Sequence, residues 1–228
     1  NKDNFITTQF PKDTVESLGL LKMDFLGLRN LTVLDNALEI IRRTRGIDID
    51  LDKIDMSYEL PISSDVDNTV KKYLERFNGK TTVLLNPFGA LKTRKFSSAK
   101  INSIVDLIKK KIANPVIIIS GLESEIKDIE IDGVEKTPFT RYIHATSLVK
   151  QVDYIVSVDT SIVHAATAFN KPIVAFYPMS KARVNSQPLT WGPNSEHAIQ
   201  VLSDTRNVED IPDDIIKYAI ENMISMRS

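Results

Sequence analysis

Apolar and polar positions follow two different patterns along the chain, and the pattern changes near residue 57. In GLLKMDFLGLRNLTVLDNALEIIRRTRG (19–46), the apolar residues between Ala37 and Ile41 recur at helical spacing. Three arginines fall in the last turn and Gly46 follows, which is typical of a helix that ends at the glycine. The segment 1–56 is therefore predicted to be short and mainly helical.

Two polar stretches follow this predicted helix. IDIDLDKID (47–55) alternates apolar and acidic residues, as an exposed strand or a loop would. SYELPISSDVDN (57–68) contains Pro61 and a cluster of serine and aspartate residues, which predicts a linker. We therefore expect one unit over 1–56 and a second over 57–228.

The second unit alternates short apolar runs with amphipathic stretches. Runs rich in β-branched residues, such as PVIIISG (115–121), are typical of strands buried on both faces. The predicted strands are 81–87, 115–121, 154–159 and 171–178, and the predicted helices are 69–77, 97–113, 122–129, 144–153, 160–169 and 211–225. Strands separated by helices imply an α/β fold with a Rossmann-like, doubly wound parallel sheet.

Composition narrows the possible functions. Hydrophobic residues make up 42% and charged residues 26% of the 228 residues, as in ordinary globular proteins. The net charge of -1 provides no strong field for nucleic acid or an anionic membrane. The absence of cysteine excludes disulfides and cysteine-based zinc or redox sites, and it suits a cytoplasmic location. No apolar stretch approaches the roughly 20 residues that span a bilayer.

Candidate chemistry follows the predicted strands, because ligands of open parallel sheets bind beyond the carboxyl ends of the strands. A helix that begins there offers free N–H groups and a partial positive charge to an anion. Hydroxyl groups can add donors, an arginine or lysine can neutralise phosphate, and a carboxylate can accept from ribose hydroxyls. The residues of these types are Thr93, Arg94, Lys95, Glu125, Asp159, Thr160 and Ser161. This set predicts a crevice for a phosphorylated ligand.

Each of these residues also has a plain structural interpretation. Asp159 would serve as the N-cap of the following helix, and Arg94 and Lys95 as part of a solvated loop. Glu125 would be a favourable charge in a first helical turn, and His164 a hydrogen-bonded core histidine. Neither a P-loop nor a G-x-G-x-x-G fingerprint is present.

The combination of motifs is more specific than any single residue. LLNPFGALKTRKFS (84–97), VIIISGLESE (116–125), VSVDTSIVHAATAFNKPIVAFYP (156–178) and a later WGPN (191–194) resemble the C-terminal half of the lipopolysaccharide heptosyltransferases, glycosyltransferase family 9. The resemblance implies a GT-B architecture, in which two Rossmann-like domains face each other across a cleft. The C-terminal domain binds a nucleotide-sugar donor there, and the N-terminal domain binds a lipid-linked saccharide acceptor.

Carried over by position, the resemblance implies a set of donor-binding residues. These are Thr93, Arg94, Lys95, Glu125, Asp159, Thr160, Ser161 and His164. Ser161 stands where the family pattern has glycine, so the backbone would approach phosphate less closely. The general base is expected in an N-terminal domain that this chain lacks. No cofactor or metal is expected, since the nucleoside-diphosphate sugar is the substrate. The enzyme would work in the cytoplasm, peripherally at the inner membrane face.

The first 56 residues resemble a different family. GLLKMDFLGLR (19–29), within residues 5–55, resembles the bacterial DNA polymerase III α subunit. The resemblance implies that Asp24 is one of three carboxylates that hold magnesium, but the other two belong to an upstream motif that this chain lacks. One carboxylate cannot hold two metals for nucleotidyl transfer, so a structural role for Asp24 and no stable nucleic-acid binding are expected.

Three functions therefore remain open. The main hypothesis is the donor-binding half of a heptosyltransferase-like glycosyltransferase, an enzyme when completed by an acceptor domain. The alternatives are a polymerase III α fragment and a non-catalytic nucleotide-binding module.

Overall fold

A computed structural model describes residues 29–50, 53, 59–179, 192–193 and 195–226. The chain divides into two units, Asn1–Met56 and Ser57–Ser228. In the first unit, helix α1 spans Arg29–Arg45 and ends as predicted at Gly46, which has a φ of 65°. The Gly46 N–H donates to the Arg42 carbonyl at 3.0 Å. Residues 47–50 form neither helix nor strand, and Asp24 lies outside the described residues.

In the second unit, the described residues form one six-stranded sheet in which all paired strands are parallel. The strands are β1 (Thr81–Asn86), β2 (Pro115–Ile119), β3 (Val134–Lys136), β4 (Tyr154–Val158), β5 (Ile173–Tyr177) and β6 (Ala198–Leu202). Their order across the sheet is β3-β2-β1-β4-β5-β6. This order reverses between β1 and β4, as in doubly wound nucleotide-binding sheets, and the predicted fold class is confirmed.

Helices cover both faces of the sheet. They are α2 (Ser64–Leu74), α3 (Ser98–Lys111), α4 (Glu123–Ile126), α5 (Tyr142–Gln151), α6 (Ser161–Ala168) and α7 (Asp213–Ser225). Val83 and Leu85 of β1 pack with α3 and α7, whereas Leu84 packs on the other face with α2, α5 and α6. Successive side chains of a strand point to opposite faces, so the apolar run of β1 supplies both halves of the core.

The predicted linker over 57–68 is wrong in its second part. Helix α2 begins at Ser64, where the serine and aspartate cluster was assigned to a loop. Asp67 accepts hydrogen bonds from Ser147 and Lys150 of α5, and Val70 is fully buried. These contacts fix the first turn of α2 against α5 within the second unit, which local composition alone does not indicate.

The two edge strands, β3 and β6, were not predicted from the sequence. β3 has only three residues, and two of them are Glu135 and Lys136. β6 is only partly buried along most of its length. An edge strand has a neighbour on one side only, so its sequence lacks the continuous β-branched run that identified β2 and β4.

Candidate functional site

The ends of β1 and β4 meet where the strand order reverses. Asn86, the last residue of β1, lies opposite Ser157 of β4. Its side-chain amide donates to Ser157 Oγ and to Thr160 Oγ1, each at 2.9 Å. Ser157 Oγ in turn donates to the Val158 carbonyl at 2.7 Å. We call Asn86, Ser157 and Thr160 the strand-tip cluster, since it joins the two central strands to the start of α6.

Thr160, not Asp159, caps helix α6. The Ile162 N–H donates to Thr160 Oγ1 at 3.3 Å, and α6 begins at Ser161. The interpretation of Asp159 as the N-cap is therefore wrong. A threonine hydroxyl is among the preferred N-cap groups, and Asp159 is left for another contact.

A cleft of about 280 Å³ opens beside the strand-tip cluster. It lies at the carboxyl ends of β1, β2 and β4, between the first residues of α5 and α6. Among the predicted site residues, Glu125, Thr160 and Ser161 line this cleft. Thr93, Arg94, Lys95, Asp159 and His164 do not. The structure thus brings one group of the predicted residues to the cleft wall and places the others around it.

Asp159 and Arg94 form an ion pair, with 3.0 Å between Oδ2 and Nη1. The two side chains are only 12% and 21% exposed, respectively. Burial raises the pKa of Asp159, and the Coulombic interactions with Arg94, and to a smaller extent with His164, partly offset the rise. Because Asp159 immediately precedes Thr160, this pair puts a guanidinium next to the start of α6.

A closed loop after β1 carries the basic residues. The Gly89 N–H donates to the Arg94 carbonyl at 2.8 Å, and the Phe96 N–H donates to the Pro87 carbonyl at 3.0 Å. A Cβ atom on Gly89 would lie 2.6 Å from the Cβ of Arg94, so no larger residue fits there. Phe96 is buried against Phe176, with 5.4 Å between ring centroids. The loop 87–96 is therefore fixed to the core.

The loop directs its two neighbouring cations to different carboxylates. Arg94 ends a short 3-10 turn, whereas Lys95 has an extended backbone with φ -128° and ψ 140°. Lys95 Nζ forms an ion pair with Glu125 Oε1, and Glu125 Oε2 accepts from the Leu122 N–H at 3.1 Å. Glu125 is thus held from two sides where it lines the cleft.

A buried tyrosine lies close to the Arg94–Asp159 pair. Tyr177 ends β5 and is fully buried. Burial raises the pKa of its hydroxyl, the negative charge of Asp159 raises it further, and Arg94 opposes the rise. Within the part of the chain that the structure describes, this hydroxyl has no hydrogen-bond partner.

Sequence reasoning missed the outer rim of the cleft, which we define as Leu122, Arg141 and Tyr142. Arg141 and Tyr142 open helix α5, and Tyr142 Oη lies 3.5 Å from the Ser161 carbonyl. They follow β3, so recognition of that strand would have marked them as residues of a strand tip. The Trp191 and Asn194 of the predicted WGPN loop lie outside the described residues.

Two further features, a metal site and a membrane span, are not found among the described residues. They contain no group of three or more histidine, aspartate and glutamate side chains arranged to hold a metal ion. None of the described helices combines the length and the apolar character that a bilayer span requires.

Comparisons with known proteins relate this part of the chain to one family. Residues 126–213 match glycosyltransferase family 9 (heptosyltransferase). The putative lipopolysaccharide heptosyltransferase 4 of Escherichia coli K12 is 32% identical over 188 residues, which cover 82% of this chain and 50% of that protein. The chain therefore spans about half the length of this curated relative.

Two solved structures share the fold. The glycosyl transferase family 9 structure from Veillonella parvula superposes with a TM-score of 0.62 at 13% identity, covering 92% of this chain and 63% of the other. Escherichia coli heptosyltransferase WaaC with ADP-2-deoxy-2-fluoro heptose superposes with a TM-score of 0.55 at 15% identity, covering 94% and 62%. At these identities the likeness concerns the fold alone.

Part of the chain matches a second, different protein. DNA polymerase III subunit alpha of Mycobacterium leprae is 48% identical over 63 residues, which are 26% of this chain but 5% of that protein. The chain thus carries two unrelated likenesses: one to a short piece of the polymerase III α subunit, and one to the heptosyltransferases of glycosyltransferase family 9, whose family model matches residues 126–213.

Proposed function

We propose that residues 57–228 bind the nucleotide-sugar donor of a heptosyltransferase-like glycosyltransferase. The observation that carries the proposal is the cleft at the switch point of the sheet, where Glu125, Thr160 and Ser161 form part of the wall. Two cations lie beside it, each held by a carboxylate of the predicted donor site. The family 9 match supports the same assignment.

The start of α6 is suited to the diphosphate of the donor. Thr160 Oγ1 accepts hydrogen bonds from Asn86 and from the Ile162 N–H. A hydroxyl has two lone pairs and one hydrogen, so the hydrogen of Thr160 can be donated to an anion. Ser157 Oγ, at 3.4 Å, is the other acceptor within reach. The first N–H groups of an eight-residue helix add a partial positive charge at the same place.

The role proposed for Arg94 follows from its ion pair with Asp159. A guanidinium has five N–H donors, and the 3.0 Å contact with Asp159 engages one end of it. The positive charge of this side chain lies beside the start of α6, where it would suit a phosphate oxygen of the donor. His164, on the first turns of α6, would help to fix the start of that helix, and Thr93, in the turn that carries Arg94, would be among the donor-binding residues.

The proposed reaction is displacement at the anomeric carbon of the donor sugar, with the nucleoside diphosphate as leaving group. Helix N–H groups and Arg94 would stabilise the charge that develops on the departing phosphate. The base that deprotonates the acceptor hydroxyl would come from the acceptor-binding domain. The acceptor would be a lipid-linked saccharide of the lipopolysaccharide core, reached from the cytoplasm at the inner membrane face.

The proposal is tested by the melting temperature of the chain with ADP, UDP, GDP or CMP. A ligand at a hundred times its Kd stabilises by about 2.7 kcal/mol, which raises the melting temperature of a chain of this size by roughly 5–10 °C. Thr160→Ala should reduce the shift, while Thr69→Ala, which removes the same atoms from an exposed position of α2, should leave it unchanged. Absence of a shift with all four nucleotides would reject donor binding.

A second experiment distinguishes a donor-binding domain from a non-catalytic nucleotide-binding module. ADP and ADP-heptose are compared on the wild-type chain at equal concentrations. A donor domain contacts the sugar as well, so the two ligands should give different Kd values. Equal Kd values would favour the non-catalytic module.

A further inference from the structure

Lys95 and Arg94 are adjacent in sequence, but their side chains serve different carboxylates. Arg94 pairs with Asp159, which precedes the start of α6. Lys95 pairs with Glu125, which follows β2 on the other side of the cleft. The change from a 3-10 turn to extended backbone at Lys95 separates the two directions. A common role in phosphate binding therefore does not follow from their shared charge.

Glu125 has the geometry of a hydrogen-bond acceptor for sugar hydroxyls. Its side chain is 17% exposed and lines the cleft. One oxygen binds Lys95, and the other accepts from the Leu122 N–H at 3.1 Å. A carboxylate has about four lone-pair positions, so two contacts leave acceptor capacity on the side that faces the cleft. Glu125 is thus oriented before any ligand arrives.

Lys95 itself does not reach the cleft wall. Neither Lys95 nor Arg94 is among the residues that line the cleft, but Glu125, the partner of Lys95, is among them, whereas Asp159, the partner of Arg94, is not. The ammonium group is engaged by Glu125 Oε1, and the Lys95 backbone bridges to Phe88 across the closed loop 87–96. The lysine therefore holds Glu125 from behind, on a loop that is itself fixed to the core.

We propose that Lys95 is a positioning residue for nucleotide binding: it orients Glu125 toward the vicinal hydroxyls of the donor ribose and does not bind phosphate. This inference rests on the proposed donor-binding function. It predicts that Lys95 strengthens the binding of nucleotides that carry ribose hydroxyls and does not affect the binding of nucleotides that lack them. A lysine bound to phosphate would contribute equally whether or not those hydroxyls are present.

The two roles are separated by a nucleotide that lacks the hydroxyls. Kd is measured by isothermal titration for ADP and 2′,3′-dideoxy-ADP, or the matching pair for the base preferred in the melting screen. We compare wild type, Lys95→Met, Lys95→Gln, Lys95→Arg, Glu125→Gln and the double variant Lys95→Met/Glu125→Gln. The matched control is Lys92→Met, since Lys92 is an exposed lysine in the same loop.

We expect Lys95→Met and Lys95→Gln to weaken ADP binding about tenfold, as the loss of a charge-assisted contact implies. They should change dideoxynucleotide binding less than about twofold, and the loss should vanish in the Glu125→Gln background. Lys95→Arg should retain most of the affinity, and Lys92→Met all of it.

Two results overturn the inference while leaving the proposed function intact. One is an equal loss for both nucleotides, which assigns Lys95 to phosphate. The other is no loss for ADP in either Lys95 variant. Failure of the wild-type chain to bind any nucleotide overturns the proposed function and this inference together.

Discussion

The strand-tip cluster and the outer rim flank one cleft, but they are built differently. Asn86 is 5% exposed and donates to two side chains of the β4 end. Leu122 and Tyr142 are 69% and 51% exposed. The first side is therefore part of the folded core, whereas the second projects from it.

Because of this difference, substitutions on the two sides of the cleft should have different effects on stability and on binding. A residue of the strand-tip cluster contributes to the free energy of unfolding and to ligand geometry through the same hydrogen bonds. A residue of the outer rim makes few contacts within the protein, so its replacement should change binding with little effect on stability. The Arg94–Asp159 pair, which adjoins the strand-tip cluster, should behave like the core.

The largest effect is expected for Arg94→Met. It leaves the largely buried Asp159 carboxylate without its guanidinium, which should cost about 3 kcal/mol of unfolding free energy near neutral pH. Urea denaturation measures the cost, and Lys92→Met serves as the exposed control. The double variant Arg94→Met/Asp159→Asn should recover most of the stability, because no unpaired charge remains.

The pH dependence of this variant has a defined sign. The folded-state pKa of Asp159 lies above its ordinary value of 3.8, because burial disfavours the carboxylate. As the pH falls through that folded-state pKa, the folded chain takes up a proton that the unfolded chain does not yet hold, so stability rises. The loss of Arg94 raises this pKa further. The deficit of Arg94→Met should therefore shrink as the pH falls toward 3.8, and a deficit that grows in acid would contradict the assignment.

Asn86→Ala should have the next largest effect. It removes both hydrogen bonds to the β4 end and leaves Ser157 and Thr160 with less support, which should cost about 2 kcal/mol. Nucleotide binding should weaken in the same variant, because Thr160 loses the contact that orients its hydroxyl. Asn102→Ala, an exposed asparagine of α3, should cost less than about 0.5 kcal/mol. Loss of stability without loss of binding would show that the strand-tip cluster does not take part in nucleotide binding.

The same division explains what the sequence could predict. The central strands β1, β2, β4 and β5 were predictable, because burial on both faces demands largely apolar runs. The edge strands β3 and β6 were not, since partial exposure permits polar residues such as Glu135. The prediction of Thr160 and Ser161 at the cleft followed directly from the strand tips.

The pairing of charges could not be predicted in the same way. Whether Arg94 or Lys95 approaches the start of α6 depends on the backbone of one residue, which the closing contact between Gly89 and Arg94 determines. The sequence shows two adjacent cations and offers no means to choose between them. The outer rim was missed for a different reason, since Arg141 follows a strand that composition does not reveal.

Tyr142→Phe probes the outer rim with a smaller expected effect. Only the hydroxyl is lost, and its 3.5 Å contact with the Ser161 carbonyl is long. Stability should stay within about 0.5 kcal/mol of wild type, while the Kd for nucleotide changes by roughly threefold through the position of the α6 start. Tyr218→Phe, at an exposed position of α7, is the matched control. A stability loss as large as that of Asn86→Ala would remove the distinction between the two sides.

Ser161→Gly should have the smallest effect and gives the finest test. The residue is exposed at the first position of α6, where the heptosyltransferase pattern has glycine. Glycine gives a closer approach of backbone to phosphate, but it removes a hydroxyl donor and costs roughly 0.5 kcal/mol of helix stability. If backbone N–H groups carry the diphosphate, the Kd should fall by about twofold despite the lower stability. If the hydroxyl carries it, the Kd should rise, and the start of α6 would act through side chains as the strand-tip cluster does.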